Sequence, residues 1–301
     1  MSKRPLVSII MNCYNGEKYL TESLKSIQNQ IYKNWELIFW DNKSTDRSKI
    51  FFKKFKDKRF KYFYAKKFTN LYTARNLAIK KAKGKILTFL DVDDLWTPNK
   101  LLKQVSFFNK NKNAQILYSN YFNLKKYFGI YFKNLQFKKN LPSGFISNEL
   151  LNSYCVAWLT VAIRKNLIKK KLFNEELDMV SDFDFVINTA FKKKIFCIQE
   201  PLAISRKHSN QLQRKNFYLQ VEHYLKWYKI TKLKIENKKL KNLDNFHNRI
   251  IFFEKILAYK KKNKYFKNIF EFFFIGKIKL AFKLLVFVSL PNFFIKFIAS
   301  I

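Results

Sequence analysis

The chain has 301 residues, and its 60 lysine and arginine residues against 21 aspartate and glutamate residues give a formal net charge of +39. Hydrophobic residues make up 48% of the sequence and aromatic residues 18%, which excludes an intrinsically disordered chain and indicates one large domain or one domain with an appendage. The lysines are spread over the whole chain, so the charge predicts no specific nucleic-acid partner. Anionic substrates or an anionic membrane surface explain it at least as well.

The three cysteines, Cys13, Cys155 and Cys197, are far apart and form no CxxC motif. This usage is typical of a reducing compartment. We find neither a signal peptide nor a stretch of roughly 18–20 uncharged apolar residues that could span a membrane. We therefore expect a cytoplasmic protein that can lie peripherally at the inner face of the cytoplasmic membrane.

The first half of the chain predicts strands that alternate with helices. Expected strands are residues 7–11, 36–40, 59–64 and 86–90, and expected helices are residues 17–30, a Lys/Phe-rich stretch after residue 46, and residues 73–82. Such alternation is typical of βαβ units. It predicts a mostly parallel, doubly wound sheet.

The second half has a less regular pattern. A helix is expected to open at Thr97-Pro98 and end near Asn109, because threonine and proline are common at the N-cap and first helical position. Aromatic residues and lysines alternate over residues 121–137, which indicates a hairpin or a loop lining a site. Further expected elements are strands at 115–120, 155–163, 195–198 and 202–205, a helix at 182–193, helices after residue 213, and a linker at 233–242.

Three carboxylates stand within four residues at Asp91-Val92-Asp93-Asp94, directly after the apolar strand 86–90. Ligands bind beyond the carboxyl ends of the strands in an open parallel sheet. Clustered carboxylates favour a hard cation such as Mg²⁺ or Mn²⁺ that bridges to substrate phosphates. The alternative is a solvated acidic turn in which Asp94 helps to start the next helix.

Other carboxylates have ordinary explanations when they are taken singly. Asp41 also follows an apolar strand but could form an Asx turn, and Asp182 could be a helix N-cap. Acidic residues at two strand ends, with Arg75 between them in sequence, favour a shared site.

Several short motifs, in this order and spacing, resemble those of family 2 glycosyltransferases. They are residues 7–16 (VSIIMNCYNG), 40–46 (WDNKSTD), 73–76 (TARN), 82–85 (AKGK), 89–94 (FLDVDD), 181–185 (SDFDF) and 206–208 (RKH). The resemblance implies an A-type glycosyltransferase fold, a nucleotide-sugar donor, most often a UDP-sugar in this family, and a divalent metal, Mn or Mg. It also implies inversion at the anomeric carbon and an acceptor that is a glycan or a lipid-linked saccharide of bacterial surface-polysaccharide assembly.

The resemblance also implies residue roles. Tyr14 and Asp41 would hold the nucleotide base, with Arg75 near the nucleotide, Asp91 near the ribose and His208 near the diphosphate. Asp93, with Asp91, would hold the metal. The general base would be Asp182, with Asp184 in reserve.

Three positions depart from the family pattern. Asn42 and Ser181 replace acidic residues, and the Ser181 change weakens the assignment of the base. Asn70 replaces a glycine, and asparagine tolerates the left-handed backbone better than most residues. His208 and Trp96 could equally serve packing, and the aromatics between Tyr118 and Phe137 could stack on an acceptor sugar or belong to the core.

The expected layout is a catalytic domain at residues 1–215, with a nucleotide-binding half at 1–110 and an acceptor half at 111–215, followed by a helical C-terminal extension at 216–301. Lysines interrupt the apolar stripe of the extension, which predicts packing on the domain for residues 265–280 and membrane contact for residues 281–301. An alternative function is a basic nucleic-acid- or membrane-binding module that retains the fold without catalysis. The intact Asp91, Asp93 and Asp182 argue against it.

Overall fold

The structure, a computed structural model, describes residues 4–209, 211, 216–235 and 242–262. The chain divides between His208 and Ser209 into two compact units. None of the helices within the described ranges has the length and apolar character that crossing a membrane requires.

The first unit contains a nine-stranded sheet with six α-helices. The strands are β1 (Val7–Cys13), β2 (Trp35–Asp41), β3 (Phe60–Tyr64), β4 (Ile86–Phe89), β5 (Leu95–Trp96), β6 (Ile116–Tyr127), β7 (Ile130–Leu135), β8 (Ala162–Arg164) and β9 (Ile195–Lys207). The helices are α1 (Glu17–Gln28), α2 (Ser48–Lys53), α3 (Leu71–Lys81), α4 (Lys100–Lys110), α5 (Ser147–Asn152) and α6 (Ser181–Ala190).

The strand order is β3-β2-β1-β4-β8-β6-β9-β5, with β7 paired to β6. Strands β1 to β4 are parallel to one another, as the alternating pattern predicts. Beyond β4 the ladder is mixed, because β8 runs antiparallel to both β4 and β6 while β9 is parallel to β6. The predicted α/β architecture is confirmed.

Strand β1 is buried on both faces, which is why it reads as a continuous apolar run. Val7, Ile9 and Met11 share one core cluster with residues of α1 and α4. Successive side chains alternate between the faces of a strand, so Ile10 lies on the opposite face. Its register partner on β4, Phe89, packs against Trp158 there, with ring centroids 4.7 Å apart.

Two predicted strand regions differ from the structure. Residues 155–163 were expected to form one core strand, but a 3₁₀ turn at Trp158–Thr160 interrupts them and only Ala162–Arg164 joins the sheet. Residues 195–198 and 202–205 form the single strand β9, whose register against β6 shifts around Asn120. A bulge of this kind lets one long strand bend without ending.

The aromatic and lysine-rich segment 121–137 contains a β-hairpin, the first of the two predicted alternatives. Strand β6 continues to Tyr127 and β7 returns from Ile130, with Phe128 and Gly129 between them at φ 47° and 84°. Two consecutive residues with positive φ are the signature of the tight hairpin turn that matches strand twist.

Two helices begin at residues other than those expected. Helix α4 begins at Lys100 rather than at Thr97-Pro98, with Asn99 as its N-cap. Helix α3 begins at Leu71 because the Asn70 side chain accepts a hydrogen bond from the backbone N–H of Thr73, 2.8 Å away. Asn70 has φ −65°, so its backbone is not left-handed and the residue serves as a helix cap.

The second unit contains α7 (Phe217–Ile235) and α8 (Leu243–Lys262). Trp227 of α7 is fully buried and its ring meets that of Phe246 of α8, with centroids 5.4 Å apart. The expected linker at 233–242 lies partly outside the described residues. The expectations for residues 265–280 and 281–301 lie wholly outside them.

Candidate active site

Three polar residues come together at one edge of the parallel part of the sheet. Tyr14 follows β1, Asp41 ends β2, and Asp91 stands two residues after the end of β4. Strand order reverses at β1, since β2 and β3 lie on one side of it and β4 on the other. Ligand sites of open α/β sheets form at such a reversal, outside the carboxyl ends of the strands.

Arg75 of α3 connects the acidic loop after β4 with the start of α6. Its guanidinium is almost fully buried and donates to Asp91 Oδ1 at 2.6 Å. From α6, Asp182 Oδ1 accepts from the Tyr72 hydroxyl at 2.8 Å and from the backbone N–H of Phe183 at 2.8 Å. Asp91, Arg75 and Asp182 therefore belong to one electrostatic group.

The ionisation of this group follows from its burial. Desolvation raises the pKa of Asp182, and the Arg75 guanidinium and the Tyr72 hydroxyl offset only part of that effect. Burial also raises the pKa of Tyr72, as does the Asp182 charge. Tyr72 therefore remains a hydrogen-bond donor at neutral pH.

The end of β9 contributes a second group, opposite the other two aspartates of the acidic loop. His208 Nε2 lies 2.8 Å from Asp93 Oδ2. The buried Arg206 donates from Nε to the Asp93 carbonyl at 3.0 Å and from its backbone N–H to Asp94 Oδ1 at 2.8 Å. Strand β9 thus contacts the acidic loop through both main-chain and side-chain atoms.

Helix α1 holds the same loop from another side. The Ser23 hydroxyl donates to the Asp94 carbonyl, and Glu22 accepts from the Arg206 guanidinium at 2.8 Å. The Tyr19 ring lies under that guanidinium at 4.5 Å and beside the His208 ring at 5.0 Å. Burial, together with the charges of Asp93 and Asp91, raises the pKa of Asp94 well above its usual range. Asp94 is therefore a structural residue of the loop.

Tyr14 and Asp41 have different surroundings at the ends of β1 and β2. Tyr14 is half exposed and its ring packs against Phe68, with centroids 4.7 Å apart. Asp41 is 1% exposed, and its two oxygens accept from the Tyr62 hydroxyl at 2.5 Å and the Ser44 backbone N–H at 2.8 Å. An exposed aromatic ring lies beside a buried, fixed carboxylate.

Small residues close this part of the site. The Cys13 thiol is buried beneath Ser44, whose Oγ lies 3.7 Å from Sγ, and burial raises its pKa to about 11. A Cβ on Gly16 would come within 2.9 Å of Val92 in the acidic loop. Only glycine therefore lets the start of α1 approach that loop so closely.

Asp184, the reserve candidate for the base, bonds to a neighbour on its own helix. Its Oδ1 accepts from Asn188 one turn further along α6, at 2.6 Å. Asn42, which replaces an acidic residue of the family pattern, is buried and exchanges hydrogen bonds with Thr69. Its amide ties the end of β2 to the loop between β3 and α3.

The sequence did not identify Tyr72 and Tyr62 as site residues. It also did not show that Arg206 holds the acidic loop. Tyr72 contacts Asp182 across 110 positions of sequence, and Arg206 contacts Asp93 across 113. The only signals were the adjacency of Tyr72 to the TARN motif and of Arg206 to His208.

The chemistry of the acidic loop fits a divalent cation. Asp91 and Asp93 each keep part of the carboxylate accessible, with side chains 43% and 24% exposed. Among the described residues, no three His, Cys, Asp or Glu side chains are grouped so as to hold a metal ion. Two partly accessible carboxylates suit Mg²⁺ or Mn²⁺, which are commonly held by one or two carboxylates together with substrate phosphates.

The sheet, its strand reversal and the acidic loop define an open α/β fold with a candidate ligand site at the carboxyl ends of its parallel strands. Residues 8–172 match the family described as "Glycosyl transferase family 2". This chain belongs to that family, and the predicted family is confirmed.

Named relatives and solved structures agree with this placement. Over 163 residues, 54% of this chain, it is 35% identical to the Escherichia coli UDP-Glc:alpha-D-GlcNAc-diphosphoundecaprenol beta-1,3-glucosyltransferase WfgD, and the match spans 62% of that relative's length. The Staphylococcus aureus TarS 1-349 in complex with UDP-GlcNAc superimposes with a TM-score of 0.67 at 22% identity, covering 86% of this chain and 76% of TarS 1-349.

The mannosyltransferase PcManGT from Pyrobaculum calidifontis, in complex with GDP-Man and Mn²⁺, superimposes with a TM-score of 0.58 at 15% identity, covering 99% of this chain and 80% of that structure. These superpositions confirm the A-type glycosyltransferase fold.

Proposed function

We propose that this protein is an inverting glycosyltransferase that moves a sugar from a nucleotide-sugar, with UDP as the nucleotide, to a glycan or lipid-linked saccharide. Residues 1–215 form its catalytic domain in this proposal, and residues 216–301 are a helical extension. The observation that carries the proposal is the buried Arg75, which contacts Asp91 of the acidic loop and lies in the field of Asp182. A donor-binding carboxylate and a candidate base are thereby linked through one cation.

Asp182 is the general base in this proposal. Both of its hydrogen bonds end on Oδ1, which leaves Oδ2 to take the proton of an attacking hydroxyl. Burial raises its pKa, which strengthens the carboxylate as a base, and the Arg75 charge offsets part of that rise. One base without a covalent nucleophile suits single displacement, and single displacement inverts the anomeric carbon.

Donor binding is assigned to the opposite side of the acidic loop. The Tyr14 ring offers a face on which a nucleotide base can stack, and the fixed Asp41 orients the strand end beside it. The ribose would lie near Asp91. Arg75 and His208 supply hydrogen-bond donors for the anionic part of the donor.

Asp93, with Asp91, would hold Mn²⁺ or Mg²⁺ together with the donor's diphosphate. When bound, the ion neutralises charge on the diphosphate as the sugar leaves. His208 positions the Asp93 carboxylate through their 2.8 Å contact. Support for the metal comes from the carboxylate pair and from the Mn²⁺ in the PcManGT complex.

The acceptor proposal draws on the E. coli relative, whose name specifies a GlcNAc-diphosphoundecaprenol acceptor. A saccharide on a lipid-linked diphosphate is the acceptor class we assign here. Its anionic diphosphate suits a chain with 39 excess positive charges. The pathway in this proposal is surface-polysaccharide assembly.

UDP release from UDP-glucose and UDP-GlcNAc, with Mn²⁺ present, tests the activity. The wild-type protein is expected to hydrolyse at least one donor slowly without acceptor and faster with a GlcNAc-diphosphate lipid. Asp182→Asn should lower the rate by about 10²–10⁴-fold, the usual contribution of a general base.

Asp184→Asn is the matched control, because Asp184 lies two residues away in the same helical turn but bonds to Asn188. It should keep nearly full activity. A large loss in this variant together with an active Asp182→Asn would transfer the base to Asp184. Absence of UDP release from every donor would reject the proposed activity.

A further inference from the structure

The tip of the β6–β7 hairpin, residues 122–135, exposes an unusual number of apolar side chains; we call this segment the aromatic hairpin. Phe128 at the turn is fully exposed, and Ile130, Tyr131 and Phe132 are each about half exposed or more. Every residue of β7 is exposed. Large exposed apolar patches on soluble domains commonly mark contact surfaces.

Lysines are interleaved with these apolar side chains. Lys126 stands opposite Tyr131 and Lys125 opposite Phe132, and the Lys133 ammonium lies 4.1 Å from the Phe122 ring centre. The sequence contains no Asp or Glu between Asp94 and Glu149. The aromatic hairpin is therefore apolar at its tip, and the charged residues behind the tip are all lysines.

The spacing of the two kinds of side chain matches a lipid interface. At about 3.3 Å per residue, Lys125 lies roughly 10 Å behind Phe128 along the strand. Interfacial segments bury their apolar part about 5–10 Å deep, at the boundary of headgroups and acyl chains. Lysines at this distance would meet the headgroup phosphates, and their flexible stems help them to do so.

The aromatic hairpin is also continuous with the candidate active site. Strand β6 pairs with β9 as far as Lys125 with Lys207, and Leu124 pairs with Arg206. Arg206 and the adjacent His208 contact the acidic loop. The tip is therefore only a few residues, along paired strands, from the edge of the donor site.

We propose that the aromatic hairpin inserts its tip into the surface of an anionic phospholipid bilayer. Two other occupants are weaker candidates. Nucleic acid would use aromatic faces for stacking, but Ile130 offers none. A second copy could pair along β7, yet an exposed edge lysine such as Lys133 opposes strand pairing. The use of this contact to reach a lipid-linked acceptor rests on the proposed function, whereas the contact itself does not.

Co-sedimentation of the full chain with vesicles, without nucleotide-sugar, tests the proposal. Binding should be stronger to phosphatidylcholine vesicles that contain phosphatidylglycerol than to phosphatidylcholine alone. The double variant Lys126→Gln/Lys133→Gln should bind anionic vesicles about 30-fold more weakly. Ile130→Ser should bind about tenfold more weakly, because it loses buried apolar surface.

Matched controls are available on helix α2, which exposes Ile50, Lys53 and Lys54. Ile50→Ser and Lys53→Gln/Lys54→Gln should bind vesicles as the wild type does. Equal losses in these controls, or no loss in the hairpin variants, would overturn the proposal. So would a dimer in light scattering that Ile130→Ser dissolves, or binding to single-stranded RNA in preference to vesicles.

Failure of the proposed function is separable from failure of this inference. Hydrolysis of UDP-sugars by the hairpin variants in the absence of lipid should equal that of the wild type. Inactive protein that still binds vesicles through the hairpin would reject the activity alone. Active protein that ignores vesicles would reject the membrane contact alone.

Discussion

At the scale of single residues, Arg75 determines how the candidate site is charged. Its burial lowers its own pKa, but the adjacent Asp91, with further help from Tyr72 and Asp182, more than restores it, so the pKa is raised overall. A permanent positive charge is thus fixed between two carboxylates. Arginine suits this place because its guanidinium has several donors and stays protonated.

Replacing Arg75 by glutamine should move the acid side of the pH–rate profile to higher pH. Asp182, the proposed base, can accept a proton only when deprotonated, so kcat/KM should fall as the pH drops through its pKa. Arg75 lowers that pKa, and its removal therefore raises it. The measurement is kcat/KM against pH, with Arg75→Lys as the charge-preserving control. An unchanged acid limb would show that Asp182 does not control the rate.

Arg206 is a second buried cation, and it holds the acidic loop through the Asp93 carbonyl and Asp94 Oδ1. Arg206→Met keeps the side-chain length but loses the bonds to the Asp93 carbonyl and Glu22. Loss of a group that orients a metal ligand typically weakens metal affinity by about 10–100-fold. The Mn²⁺ concentration for half-maximal activity should rise by that factor, and a variant with unchanged Mn²⁺ dependence would contradict the role.

At the scale of elements, two backbone segments approach each other so closely before β4 that a side chain does not fit between them. A Cβ on Gly84 would lie 2.5 Å from the Ser8 nitrogen and 2.7 Å from the Leu6 oxygen. The Gly84 backbone N–H also donates to Ser8 Oγ at 2.7 Å. Backbone atoms cannot move aside as a flexible side chain can. The position just before β4 therefore requires glycine.

Gly84→Ala should therefore destabilise the first unit by about 1–3 kcal/mol or more, as overpacking does. Urea denaturation measures this as a lower midpoint with an unchanged slope. Lys85→Ala is the control, because Lys85 is exposed and its backbone bond to Leu6 is retained. Equal stability of the Gly84 variant and the wild type would show that the backbone around Gly84 can accommodate a Cβ.

Elements whose own sequence carries a clear pattern were predictable. Elements whose shape depends on contacts with distant segments were not. Strands β1 and β4 are buried along their whole length, so their apolar runs stand out in sequence. The cap at Asn70 was misread because the family position, rather than the Thr73 amide, guided the expectation. The turn at Trp158–Thr160 is as apolar as a strand, and tertiary packing alone decides its shape.

The same distinction applies to the site. Motif order predicted the acidic loop, the start of α6 and the end of β9 as separate pieces. Their pairing through Tyr72 and Arg206 needed the fold, because partners more than a hundred residues apart share no local pattern.

At the scale of the whole molecule, metal should serve activity and not folding. The described residues provide no cluster of three or more typical ligands, and a large cluster of apolar side chains packs around the sheet. EDTA should therefore abolish UDP release, which added Mn²⁺ restores, while calorimetry gives the same Tm with and without chelator. A lower Tm in EDTA would reveal a structural ion.

The protected thiol of Cys13 makes the end of β1 a natural reporter of local opening. Since burial keeps this sulfur protonated and beneath Ser44, alkylating reagents can reach it only when the end of β1 separates from its neighbours. The labelling rate of this one atom therefore measures how often that strand end opens. A ligand that binds there and holds β1 against its neighbours would slow the labelling.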